Sequence, residues 1–268
     1  MQESSSTVYT DRFYEVDLAG SFRSAQRIVP LLRSLIDPRS VLDVGCGNGA
    51  FLKAFSLAGV ADILGVDGDY VPRERLLIDM ANFRPTDLAK PLALGRRFDL
   101  VMSLEVAEHL PAAAAPSFVR SLVEHGDVVF FSAAVPGQRG ANHVNEQWPS
   151  YWAKLFAAHG MRPYDVIRPR IWQDREIEWW YRQNCLIFAR TERAAGIAEL
   201  NRSESKLPVL DVVHPALFAG IERMASAAGA ELATIKSQLA AGTRFAVAKL
   251  PNGPLRAYLG SGSRDQIK

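Results

Sequence analysis

The stretch that decides the fold is Val41 to Leu52, VLDVGCGNGAFL. Ser40–Val44 reads as a short buried strand, and Asn48–Leu57 as a helix packed on it. Between them Gly45, Gly47 and Gly49 stand at alternate positions. Glycine there lets backbone N–H groups approach a ligand with no Cβ in the way. A dinucleotide site asks for G-x-G-x-x-G, with a helix start aimed at a pyrophosphate. This loop is G-x-G-x-G, and Asp43 lies two residues before its first glycine. Such a carboxylate repels a pyrophosphate and suits a cationic group such as an amine.

Outward from the loop, a second strand at Asp62–Val66 leads into Asp67 and Gly68. A carboxylate at that strand end can accept both hydroxyls of a ribose. Further on, PTDLAKPL carries Asp87 and Leu88. The pair offers a polar anchor for an adenine amino group and an apolar side chain for the ring. Amine, ribose and adenine, with no phosphate, together describe S-adenosylmethionine (SAM), with S-adenosylhomocysteine (SAH) as its product.

VLDVGCGNGAFL, GVDGD, TDL and FDLVMSLEVAEHL, taken in that order, resemble the motif set of class I SAM-dependent methyltransferases. The match covers roughly Val41 to Ser132, with a looser fit to about Arg190. The resemblance implies an α/β, Rossmann-like sheet of seven strands, the last antiparallel, with helices on both faces. It places Asp43, Gly45, Cys46 and Gly47 around the cofactor, with Asp67, Gly68, Asp87 and Leu88. It adds the turn Leu104–Glu105.

The remaining pattern supports a parallel α/β sheet. Ala81–Arg84, Phe98–Ser103 and the almost wholly apolar Asp127–Ser132 read as strands buried on both faces. Gly20–Ile36 has helical spacing that Pro30 should kink or interrupt. Val71–Leu77 reads as a short helix with Pro72 in its first turn. Ser117–Glu124 and Trp148–His159 read as helices, and Tyr164–Ile167 and Cys185–Ala189 as late strands. The tryptophan-rich IWQDREIEWWYRQN lies between those two strands, as an edge hairpin or as a flap over the acceptor. Residues 191–208 read as a linker, and HPALFAGIERMASAAGAELATIKSQLAAG as a helical segment that Gly229 divides. The expected organisation is residues 1–38 as an N-terminal helical cap, 39–190 as the SAM-binding domain, and 191–268 as a linker and helical extension. That extension packs on the main domain or forms a homodimer contact or lid.

Composition narrows the function. The formal net charge is +2, and no polybasic run appears, which argues against nucleic acid as a partner. Two cysteines far apart make neither a disulfide framework nor a zinc site by spacing. The polar N-terminus is no signal peptide, and no apolar run approaches the length of a membrane span. A soluble cytoplasmic protein is expected.

The acceptor side should lie in AAVPGQRGANHVNEQWPSYW, after the fifth strand, because open α/β sheets bind ligands at the carboxyl ends of their strands. His143 is the leading general base. His109, Asn142, Glu146, Trp148 and Tyr151 are substrate-binding candidates. Amides and rings together suit a sugar, glycan or small natural product. HVNEQWPSYW is also similar to methyltransferases of bacterial polysaccharide and glycoside pathways. Against this stands LEVAEHLP, where Glu105, Glu108 and His109 share a helical face. That segment resembles the Glu-x-x-Glu-His element of small-RNA and ubiquinone-pathway O-methyltransferases, which implies a divalent metal with His143 as a further ligand. The second reading is therefore a metal-assisted O-methyltransferase acting on a phenol, quinone precursor or RNA ribose. The third is a SAM-binding partner subunit that catalyses nothing itself.

Overall fold

The computed structural model of the protein describes residues 11–203 and 209–240. Its centre is a seven-stranded sheet of β1 (Ser40–Val44), β2 (Asp62–Asp67), β3 (Phe83–Pro85), β4 (Leu100–Leu104), β5 (Val128–Ser132), β6 (Met161–Tyr164) and β7 (Leu186–Arg190). The strand order is β3-β2-β1-β4-β5-β7-β6. β1 to β5 pair in parallel, while β7 runs antiparallel to both β5 and β6. The order reverses between β1 and β4, so the loops after those strands diverge and open a crevice at their carboxyl ends.

Both faces are covered. α1 (Asp11–Ile36) and α2 (Ala50–Leu57) cover one of them. Their Ile28, Leu32, Leu52 and Phe55 pack with Val41 and Met102. α3 (Ala115–His125) and α4 (Pro149–Ala157) cover the other. There Phe131 meets Trp152 and Phe156 with ring centroids 5.4 and 5.3 Å apart. Double coverage explains why LVMSL and VVFFS are buried throughout and apolar but for Ser103 and Ser132.

Several elements differ from their sequence reading. Pro30 does not interrupt α1. It lies on the exposed side, where a lost backbone bond is replaced by water and the core stripe is untouched. The third strand begins at Phe83, because Met80–Asn82 form a tight turn whose N-cap Asp79 accepts the Ala81 N–H at 2.8 Å. Val71–Leu77 holds only a short 3-10 turn, Arg73–Arg75. The strand expected at Tyr164–Ile167 lies at Met161–Tyr164. Asp165 next grips Arg168 through two hydrogen bonds of 2.9 and 2.7 Å, which starts α5 (Arg168–Ile171).

The tryptophan-rich stretch is no hairpin. It runs from the end of α5 through a turn into α6 (Trp179–Asn184) and bonds to α1 through Arg27–Asp174 at 2.9 Å and Arg23–Glu178 at 2.8 Å. Over 191–203, α7 (Thr191–Ala195) and α8 (Ala198–Ser203) replace the expected linker, since Ala194, Ile197 and Leu200 are buried, and its remainder, 204–208, lies outside the described residues. The chain divides into two units between His214 and Pro215. The second contains α9 (Pro215–Ala240), which runs on through Gly229. One glycine costs a helix only about 1 kcal/mol. Among the described residues, no helix is long and apolar enough to cross a membrane.

Candidate active site

The loop after β1 is shaped by its glycines. Gly45, Gly47 and Gly49 have φ of 86°, 54° and 82°, a region that L side chains rarely enter. The N–H groups of Gly45 and Cys46 both donate to Val66 O, at 2.8 and 3.2 Å, tying the loop to β2. A Cβ on Gly45 would also lie 2.3 Å from a Val106 methyl. The turn after β4 therefore rests directly on the glycine loop.

A cavity of about 700 Å³ opens here, within the usual range for small-ligand sites. Of the residues expected around the cofactor, Gly45, Gly47, Asp67, Gly68, Asp87, Leu88 and Glu105 line it, and so do His109 and Asn142. Asp43, Cys46 and Leu104 are buried and stand outside its wall. Glu146, Trp148 and Tyr151 do not reach it, and His143 touches it only through its neighbour His109. Trp148 is exposed as the N-cap of α4, and Tyr151 packs edge-on to Trp152.

Asp67 is more engaged than its strand-end position suggested. It accepts from Gly47 N–H at 2.7 Å, Gly68 N–H at 2.6 Å and the Tyr70 hydroxyl at 2.7 Å. A carboxylate offers about four acceptor positions, and these donors take three of them. A Cβ on Gly68 would lie 2.0 Å from Tyr70 Cε1, so a side chain there would push that ring from its place beside Asp67. Burial raises the Asp67 pKa, and these three donors oppose the rise. Burial first, then the nearby Asp67 charge, pushes Asp43 up to about 8. Asn48, which also lines the cavity, keeps a buried Oδ1 with no hydrogen-bond partner. Asp67 and the orphaned Asn48 acceptor in the cavity wall, with Asp43 buried behind it, fit a ligand that brings cationic donors. Sequence reasoning missed Asn48 and Tyr70, although both stand within the motifs it quoted or next to them.

The acceptor loop is fastened to the turn after β4. Val144 and Asn145 N–H groups donate to Glu108 O at 2.9 and 3.0 Å. The loop is also held within itself by Glu146, which accepts from Gly137 N–H at 2.8 Å, Arg139 N–H at 2.6 Å and His143 Nδ1 at 2.9 Å. His143 thereby meets His109 edge-to-face, with ring centroids 4.9 Å apart. Burial, followed by His143, lowers the His109 pKa.

The expected Glu105–Glu108–His109 face does not form. Glu105 adopts φ of 54° and accepts from Gln138 and Asn184, so it parts from the other two. Glu108, His109 and His143 converge instead, with ligand-type atoms all within 4.8 Å of one another. Glu108 is fully buried and neither carboxylate oxygen has a hydrogen-bond partner; the Glu108 and Ala134 amides approach without closing a bond. Burial, reinforced by Glu105, drives its pKa far upward. The Nδ1 of His109 is likewise buried without a partner. A buried unpartnered carboxylate beside two imidazoles is the donor set a divalent cation satisfies.

A sheet that reverses at β1/β4, with a pocket lined by Asp67, Asp87 and Glu105 at the carboxyl ends of its strands, has the Rossmann-like architecture that binds ligands there. Residues 17–184 match the model of the family described as "Methyltransferase domain", and the chain belongs to that family. It is a SAM-dependent methyltransferase domain.

Among curated relatives, the ubiquinone biosynthesis O-methyltransferase of Serratia proteamaculans (strain 568) is 35% identical over 133 residues, covering 43% of this chain and 54% of that protein. The protein of that name from Pseudomonas syringae pv. tomato is 31% identical over 134 residues, covering 43% and 56%. The chain thus spans about half the length of these relatives. DesVI of Streptomyces venezuelae shares the fold at a TM-score of 0.52 and 18% identity, over 71% of this chain and 100% of that one. CalS10, an amino pentose methyltransferase of Micromonospora echinaspora, does so at 0.50 and 18%, over the same shares.

Proposed function

We propose that this chain methylates a hydroxyl of a sugar, glycan or small natural product, with His143 as the general base. The observation that carries the reading is the Glu146–His143 pair at 2.9 Å, set against His109 at the cofactor cavity. The sulfonium of SAM is an activated donor, so the chain must mainly position the acceptor and take its proton. Glu146 fixes the ring through Nδ1 and leaves Nε2 for that proton. CalS10, as an amino pentose methyltransferase, is in keeping with a sugar acceptor. The free, buried Cys46 and Cys185 are in keeping with a reducing cytoplasm. Replacing His143 by Ala should lower kcat about 10²- to 10⁴-fold on the true acceptor, measured with labelled SAM. Undiminished turnover would reject His143 as the base.

The orphaned carboxylate of Glu108 supports a second reading. Glu108, His109 and His143 would hold a divalent metal, with Glu146 orienting His143 from behind. The metal would supply Lewis acidity to an acceptor oxygen on a phenol, quinone precursor or ribose. The names of the curated relatives agree with that acceptor class. Turnover lost on chelation and regained with Mg²⁺ would select this reading; turnover indifferent to chelator would dismiss it.

A further inference from the structure

We propose that Asn184 is a positioning residue which, with Gln138, holds the Glu105 carboxylate toward the sulfonium end of the cofactor and so sets the preference for SAM over SAH. The proposal rests on SAM as cofactor and is independent of the acceptor.

Glu105 is the first residue after β4, and its N–H is tied to Ser132 O at 3.1 Å. Its side chain accepts from Gln138 Nε2 at 2.7 Å and from Asn184 Nδ2 at 3.1 and 3.4 Å. The amides around it have one mutually consistent orientation. Asn184 Nδ2 also donates to Gln138 Oε1 at 2.9 Å, and Asn184 Oδ1 accepts from Gln183 Nε2 at 3.0 Å. Gln183 Oε1 in turn accepts the His214 N–H at 2.7 Å. Reversing any one amide would set donor against donor or acceptor against acceptor, so the N–H₂ groups face Glu105.

The chain of bonds is anchored from behind. Gln183 and Asn184 are buried, and so is Arg168. Arg168 donates to Val209 O at 2.6 Å and Leu210 O at 2.9 Å, fixing the segment that ends at His214. Burial raises the Glu105 pKa, and the hydrogen bonds from Asn184 and Gln138 oppose that rise in favour of the anion. Glu105 lines the cavity with Gly45, His109 and Asn142, at the end facing the acceptor loop. SAM carries a positive sulfur that becomes a neutral thioether in SAH. The positive sulfur favours the ionised form of the carboxylate held at that end, which attracts the substrate cofactor more than the product.

The full chain is titrated calorimetrically with SAM and with SAH, in wild-type, Glu105→Gln and Asn184→Leu forms. Both variants should weaken SAM about tenfold while changing SAH less than about threefold. Retained SAH binding shows that a variant is folded. If Asn184→Leu does not fold, Gln138→Leu removes the 2.7 Å donor from the loop after β5 and carries the same expectation. Equal losses for both ligands, or an unchanged SAM-to-SAH ratio, overturn the proposal. A wild-type chain that binds neither ligand would remove the cofactor assignment instead.

Discussion

Asp43 shows what one buried side chain reports about its ligand. It is 4% exposed and carries a pKa of about 8, so it is largely protonated in the unliganded protein at neutral pH. A cationic ligand nearby favours the ionised form, and binding then expels a proton. SAM affinity should therefore rise by up to tenfold per unit between about pH 6 and 8. Asp43→Asn should flatten that slope, as calorimetry at several pH values would show. Asp43 and Asp67 were legible in the sequence, because an acid at each of two strand ends is a local pattern. Gln138 and Asn184 were not, because nothing within their own segments links them to Glu105, 33 and 79 residues away.

At the scale of elements, the glycine loop and α4 make contrasting demands. Gly45→Ala must accept a positive φ and displace Val106, whose methyl lies 2.3 Å from the new Cβ. It should abolish measurable SAM binding while costing about 1–3 kcal/mol in folding, read by denaturant titration. Trp152 makes the opposite separation. It is 1% exposed in the aromatic cluster with Phe131 and reaches no wall of the cofactor cavity. Trp152→Ala should cost about 3–5 kcal/mol, with SAM affinity within a few-fold of wild type under native conditions. β1, β2, β4 and β5 were readable to within a residue or two, because apolar runs between turn residues mark buried strands. The α5–α6 segment was not. Its tryptophans and charges follow no two-residue alternation, and its partners lie on α1, some 150 residues earlier.

For the whole molecule, the cost of building an acidic pocket before its ligand arrives appears as pH-dependent stability. Asp43 has a folded pKa near 8 against an ordinary aspartate value of 3.8, so the native state binds more protons than the unfolded chain between those values. Its contribution is fully present below about pH 4 and is lost as pH rises toward 8. The melting temperature of the unliganded protein should carry this downward contribution between pH 5 and 8, absent in Asp43→Asn. Saturating SAM should raise it more at pH 8 than at pH 6. Scanning calorimetry with and without SAM checks both signs. The sequence by itself determined the parallel α/β class, the cofactor chemistry of the glycine loop and the acids at the strand ends. These rest on interactions between residues close in the chain, written as periodicity and spacing. Only the tertiary structure decided that Glu105 leaves the Glu108–His109 pair for Gln138 and Asn184, and that His143 takes its place. That exchange depends on loops after β4 and β5 packing together, and on α6 arriving behind them. No short-range pattern records which of several nearby polar groups a buried carboxylate will meet.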